Sequence, residues 1–249
     1  VYLAFDPHGA PYAVKLYPPH LASRADREFL VGHGLNHPNL NPVLERVTVD
    51  GQPGVLVPFA PGERLSDFVA HHGGTRFLEA FLQTLEALAY LHARGLVHRD
   101  LKPENLIVSP GLNGALEVKL IDYDLSGPTG EVFRERVAPG TVGYISPEAA
   151  RGLPLTPSAD LYSAGVLLYW GITGQLPFDG SPQEVVRDHI STPPPPPRGL
   201  RDDPSEHPLD GIALRLLAKT PAERYANANA TLEAIRIALA ARGEALRRS

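Results

Sequence analysis

The 249-residue chain contains no cysteine, which excludes disulfides, thiolate zinc sites and cysteine nucleophiles. It also lacks methionine and opens on Val1. The expectation is a fragment, trimmed or incompletely represented at its N-terminus; ordinary processing of a chain rich in Ala, Leu, Pro, Gly and Arg is the alternative. No signal peptide stands at the start, and the longest apolar run, near Leu161–Ile172, is too short to span a bilayer. There is no basic excess: the net charge is −5, so no basic field draws the chain to nucleic acid or acidic lipid. The expected location is cytoplasmic. With 43% apolar and 20% charged residues, the composition is that of a soluble globular protein, large enough for one big domain or two lobes.

The most informative stretch is His98-Arg99-Asp100-Leu101-Lys102-Pro103-Glu104-Asn105. Leu96-Val97 precedes it and Leu106-Ile107-Val108 follows. Both apolar runs predict short strands, which makes the octet the loop between them. A loop held at both ends can point Asp100, Lys102 and Asn105 into one cleft. Asp accepts a proton, Lys neutralises an anion, and Asn offers an oxygen to a hard cation. A polar turn facing water is the competing explanation for any one of these residues, but a poor one for the whole set.

The octet resembles the catalytic loop of the protein kinases, and Lys two residues after Asp resembles the serine/threonine branch. Other stretches follow in the order of that family. Ala13-Val14-Lys15 resembles the small-lobe strand whose Lys holds the α- and β-phosphates of ATP. Glu28, nine residues before His37-Pro38-Asn39, matches the helix Glu that orients this Lys, with Asp26 as an off-register competitor. Gly32 and Gly34 are expected inside that helix, each costing ~1 kcal/mol of helicity. Gly32 stands where the family packs an apolar side chain, which predicts a loosely docked helix. Val55–Gly62 resembles the hinge that holds adenine, with Val57 as gatekeeper, the Pro58 carbonyl, and both backbone groups of Ala60; Ala13 and Ile107 are also implied at the nucleotide. Before Val1 the family has a strand and a Gly-rich turn over the triphosphate. As the sequence stands, Val1–Phe5 is expected as an unpaired edge, with poor retention of ATP.

Lys119-Leu120-Ile121-Asp122-Tyr123-Asp124 carries Asp-Tyr-Asp where the family has Asp-Phe-Gly. Asp122 keeps the metal-binding carboxylate; Asp124 replaces a flexible Gly and is expected to face solvent. The resemblance implies ATP and Mg²⁺ as cofactors, with Asn105 and Asp122 as metal ligands. Gly140–Glu148 resembles the end of an activation segment, where Thr141 bonds toward Asp100 and Lys102. Arg99 beside Asp100 resembles the subclass in which a phosphorylated loop residue usually pairs with that Arg, yet residues 130 to 140 contain no Ser, Thr or Tyr, and only Ser126 and Thr129 lie upstream. Glu131 or Glu135 is expected at Arg99 instead. Asp160 and the pair Arg224–Glu148 are assigned to structure, and Pro193–Pro197 to a stiff surface loop, with a ligand for SH3-type domains as the alternative. Ala240–Ser249 is expected to fray into a basic tail.

The resemblance implies an α+β, bilobal protein-kinase-like fold: a small, mostly β lobe with one helix over residues 1–60, and a larger helical lobe over 61–249. It implies a protein serine/threonine kinase with protein substrates. A catalytically weak pseudokinase scaffold and a kinase-like phosphotransferase for small molecules are the rivals.

Overall fold

Asp6 closes the first turn: its carboxylate accepts from the backbone N–H of His8 and of Ala10, both at 2.8 Å. The chain reverses there, and β1 (Tyr2–Phe5) pairs antiparallel with β2 (Pro11–Leu16), Tyr2 opposite Val14. The computed structural model describes residues 1–72, 76–111, 114–132, 139–197 and 208–248, with backbone alone at 139–141 and 242–248.

After β2 comes α1 (Ala22–Gly32), then β3 (Glu45–Val49) and β4 (Gln52–Pro58), joined through Asp50 and Gly51 at positive φ. Such a two-residue turn matches the twist of the strands it connects. The sheet order is β1-β2-β4-β3, with β1 at one edge. Ala25, Glu28 and Gly32 recur at helical spacing and are buried. Two expectations about α1 are corrected. The helix ends at Gly32, so Gly34 lies beyond it, at φ +78°. And the site at Gly32 is filled from the other side: a Cβ there would lie 2.3 Å from Val43 Cγ2 and 2.9 Å from Tyr123 Cδ2. The missing side chain is replaced by its neighbours, and α1 is docked.

The remainder is mostly helical. β5 (Glu63–Arg64), α2 (Leu65–His72) and α3 (Phe77–His92) lead into β6 (Leu96–Val97). β7 (Leu106–Pro110) and β8 (Leu116–Leu120) form a sheet with β5, and β9 (Gly127–Pro128) pairs with β6. Then come α4 (Pro147–Ala150), α5 (Pro157–Thr173), α6 (Pro182–Ser191), α7 (Asp210–Leu216) and α8 (Ala228–Arg248). α8 continues to Arg248, past the expected point of fraying. Phe81, Leu85 and Leu88 of α3 are fully buried. α5 is buried all round from Ala159 to Tyr169, as its apolar sequence requires. α6 starts at a capping box, Ser181 with Glu184. Pro193–Pro196 follow α6 without regular secondary structure. Among the described residues, no helix is long and apolar enough to cross a membrane.

Gly32→Leu is expected to destabilise the chain by about 1–3 kcal/mol through overpacking, read by urea denaturation. Adding Val43→Ala should recover part of the loss.

Candidate active site

The β6–β7 loop is held by a side chain from elsewhere. Asp160 on α5 accepts the backbone N–H of His98 and of Arg99, each at 2.8 Å, and contacts His92 Nε2 at 2.8 Å. Burial works to raise the Asp160 pKa; the His92 contact and the two backbone N–H groups outweigh it and hold the carboxyl below its usual range. Arg99 sits at φ +71°, a conformation an L residue adopts only when its surroundings impose it. This is the structural role to which Asp160 was assigned.

Beyond that bend, three polar residues converge. Lys102 Nζ lies 2.9 and 2.7 Å from the two carboxylate oxygens of Asp100. Asn105 Nδ2 donates to the Asp100 backbone carbonyl at 2.8 Å and to its Oδ2 at 2.9 Å. With its NH₂ group so used, Asn105 keeps its carbonyl oxygen as an acceptor.

Asp122 follows β8, at φ +71°. Lys15 Nζ on β2 is 2.6 Å from Asp122, 3.2 Å from Glu28 on α1 and 3.8 Å from Asp124. Burial alone would lower the pKa of Lys15, but the three acids, Asp122 foremost, raise it. Burial likewise opposes ionisation of Asp122, and the adjacent ammonium reverses this, holding it down. Glu28 goes the other way: burial raises it more than Lys15 lowers it, and Tyr17 O–H donates to it. Asp26, the competitor, pairs instead with Arg46 at 2.7 Å.

The solvent-facing expectation for Asp124 is wrong. Its side chain is buried against Lys15 and against Arg24 of α1, at 3.6 Å, while Arg27 of α1 donates to its backbone carbonyl at 3.4 Å. Burial and then Asp122 push its carboxyl up to about 7. Tyr123 is fully buried, with its ring against Gly32 and its O–H donating to the Leu120 carbonyl.

One cavity of about 270 Å³ lies between the β sheet and the helical lobe. Ala13, Lys15, Glu28, Val57, Pro58, Ala60, Asn105, Ile107 and Asp122 all line it. Asp100 and Lys102 are absent from that lining; they join it through Asn105. Sequence reasoning missed Asn41, which also lines the cavity and donates from Nδ2 to the Pro58 carbonyl at 3.0 Å. Nothing in the sequence separates it from the neighbouring Asn39, which instead bonds Gln83 and the Val118 carbonyl. Among the described residues no three His, Cys, Asp or Glu side chains are grouped to hold a metal alone. One carboxylate and one amide suit a hard cation that brings further oxygen ligands with it.

The segment after Asp122 is tied down from two sides. Arg99 donates to the Pro128 carbonyl and to Glu131, both at 2.8 Å, so Glu131, one of the two acids expected at Arg99, stands there. Glu135 lies outside the described residues. Thr141 falls in the 3-10 turn Pro139–Tyr144, its side chain outside the described residues. Arg224 grips Glu148 with two bonds of 2.7 and 2.9 Å in a buried pair, as expected. A second missed group is His189 on α6. Its Nε2 donates to the Gly143 carbonyl at 3.0 Å, and its Nδ1 meets Tyr162 O–H at 2.9 Å. Lys219 donates to the same Tyr162 oxygen at 3.2 Å. Since a carbonyl can only accept, His189 carries its proton on Nε2 and takes the Tyr162 hydrogen on Nδ1. Burial, then Lys219, lowers His189 to about 4. A lone histidine in a helix gives no sequence signal for this.

A family model described as protein kinase domain matches residues 1–233. Serine/threonine-protein kinase pkn3 of Myxococcus xanthus is 36% identical over 220 residues, 84% of this chain and 40% of that protein. Serine/threonine-protein kinase PknB of Mycolicibacterium smegmatis is 35% identical over 217 residues, 82% of this chain and 34% of that protein. The chain thus spans less than half the length of these relatives. The crystal structure of the Mycobacterium tuberculosis PknI kinase domain shares the fold, with a TM-score of 0.73 at 24% identity, covering 95% of this chain and 90% of that one.

The His189 contact makes stability depend on pH in a definite direction. Its folded pKa is depressed, so between pH 6.5 and about 4 the unfolded chain binds the extra proton. The contribution is present in full above pH 6.5 and is lost as pH falls through that window. Denaturant titrations at pH 7 and pH 5 should show wild type losing about 1–2 kcal/mol more than His189→Asn.

Proposed function

Because this chain belongs to the protein kinase family, in the bacterial branch of eukaryotic-type serine/threonine kinases, we propose that it transfers the γ-phosphoryl group of ATP to a serine or threonine hydroxyl of a protein. The observation that carries this is the convergence of Lys15, Asn105 and Asp122 on one cavity, with Asp100 hydrogen-bonded to Asn105 at its margin. Residues 1–60 are taken as the small lobe and 61–249 as the large lobe. The adenine base is assigned to the Val57–Ala60 edge with Ala13 and Ile107, and the phosphates to Lys15, which Glu28 orients. Mg²⁺ is assigned to Asn105 and Asp122; when bound it neutralises phosphate charge.

In this chain's own residues, the chemistry needs little motion. Asp100 is fixed by Lys102 and Asn105, so its carboxylate is oriented before a hydroxyl arrives. It accepts the hydroxyl proton as the oxygen attacks the γ-phosphorus. Lys102, beside it, stabilises the negative charge on the transferring group, and Thr141 is assigned to the same contact from the substrate-docking side. Both ends of the reaction are thereby positioned, which lowers the entropic part of the barrier.

Two features weigh against the rival pseudokinase: the place of Gly32 is filled, and Asp124 braces α1 against Lys15's strand. A cytoplasmic site of action fits a reaction that draws on ATP.

The full-length protein should transfer radiolabel from ATP to protein, with phosphoserine or phosphothreonine recovered on hydrolysis. Asp100→Asn should lower the rate by about 10²–10⁴-fold; unchanged transfer would remove the basis of this reading. Because Glu131 already occupies Arg99, Thr129→Ala should retain activity and Glu131→Ala should lose it. Activity lost in Thr129→Ala and regained with Glu at 129 would show that a phosphate is needed after all.

A further inference from the structure

The base end of the cavity holds a polar group that its apolar neighbours do not require. Phe59 N–H donates to the Pro11 carbonyl at 3.4 Å, and Tyr12 faces Pro58 across β2 and β4. Tyr12 and Pro58 therefore form a non-hydrogen-bonded pair of the ladder, and the Pro58 carbonyl turns away from β2. It meets the amide of Asn41, buried in the cavity wall. Proline has no N–H and a carbonyl only accepts, so the amide end facing it is the NH₂.

One N–H of that NH₂ satisfies Pro58. The other remains a donor at the same edge of the cavity, and the Pro58 oxygen retains its second lone pair. Donor and acceptor thus stand side by side. We propose that Asn41 makes the base edge amphoteric, so that 6-oxopurine nucleoside triphosphates are accepted alongside ATP. The inference rests on the nucleotide reading above and deepens it. A 6-amino group donates to the Pro58 carbonyl. A 6-oxo group would set two carbonyls against each other, an unpaired arrangement that a site reading hydrogen bonds rejects steeply; the second N–H of Asn41 gives that oxygen its partner, and the N1–H that a 6-oxo base carries in place of adenine's bare N1 goes to the Ala60 carbonyl instead of facing the Ala60 N–H. Ala13, Val57, Pro58, Phe59, Ala60 and Ile107 carry no side-chain donor. Of the other side-chain donors in the lining, Lys15 and Arg64 stand on β2 and β5, and Asn105 and Tyr123 donate to Asp100 and to the Leu120 carbonyl.

The test is equilibrium binding of ATP and inosine triphosphate to the full-length protein, by competition with a fluorescent nucleotide, together with KM for each. Inosine triphosphate carries the 6-oxo group without guanine's extra 2-amino group. Asn41→Leu should raise the ratio of dissociation constants, inosine triphosphate over ATP, by about tenfold or more, through the inosine nucleotide. Asn41→Asp, matched in shape but without the donor, should raise it in the same direction and covers the case in which the leucine variant fails to fold. A ratio unmoved in the folded variant, with ATP still bound and turned over, overturns this inference alone. Failure of wild type to bind either nucleotide overturns the nucleotide reading itself.

Discussion

A single buried carboxylate governs the geometry of the site. Asp160 has almost no contact with solvent, and it accepts from two consecutive backbone N–H groups of a loop more than sixty positions away. A buried ionised acid is costly unless it is fully hydrogen-bonded. Here that requirement is met by bending the loop so that Arg99 takes a left-handed conformation. Asp100 comes next in the chain, so the direction of its side chain follows from the bend. The helix carrying Asp160 is the most completely buried in the fold, and the site thereby inherits the rigidity of the core.

Around Lys15 the logic is different. Three acids share one ammonium, with Arg24 and Arg27 of α1 behind one of them. Like charges so close in a partly dry pocket oppose ionisation of one another. The load falls unevenly: Asp122 stays anionic against Lys15, while Asp124 is driven up to about 7. Asp124 thereby ties the segment after β8 to α1 by side-chain contact.

Much of this was legible in sequence. The octet from His98 to Asn105 declared itself because three kinds of chemistry fell within eight residues between two apolar runs. Lys15, Glu28 and Asp122 were found by their register to other motifs. What stayed hidden depended on burial from afar. Asp124 has the composition of a surface residue, and only the approach of α1 encloses it. Gly32 signals a weak helix until Tyr123 and Val43 are seen to occupy its space. Asn41 and His189 belong to no periodicity; their partners, Pro58 and Gly143, offer backbone carbonyls that no sequence pattern marks.

The contact between Arg99 and Glu131 has a consequence for how such a segment is kept in order. A phosphoester is written onto a hydroxyl and can be hydrolysed away; a glutamate is encoded and permanent. With the guanidinium almost fully covered and the carboxylate half exposed, what modulates this contact is the surrounding electrolyte, since a half-exposed ion pair weakens as screening rises. Erasure by a phosphatase has no bond to act on at this position.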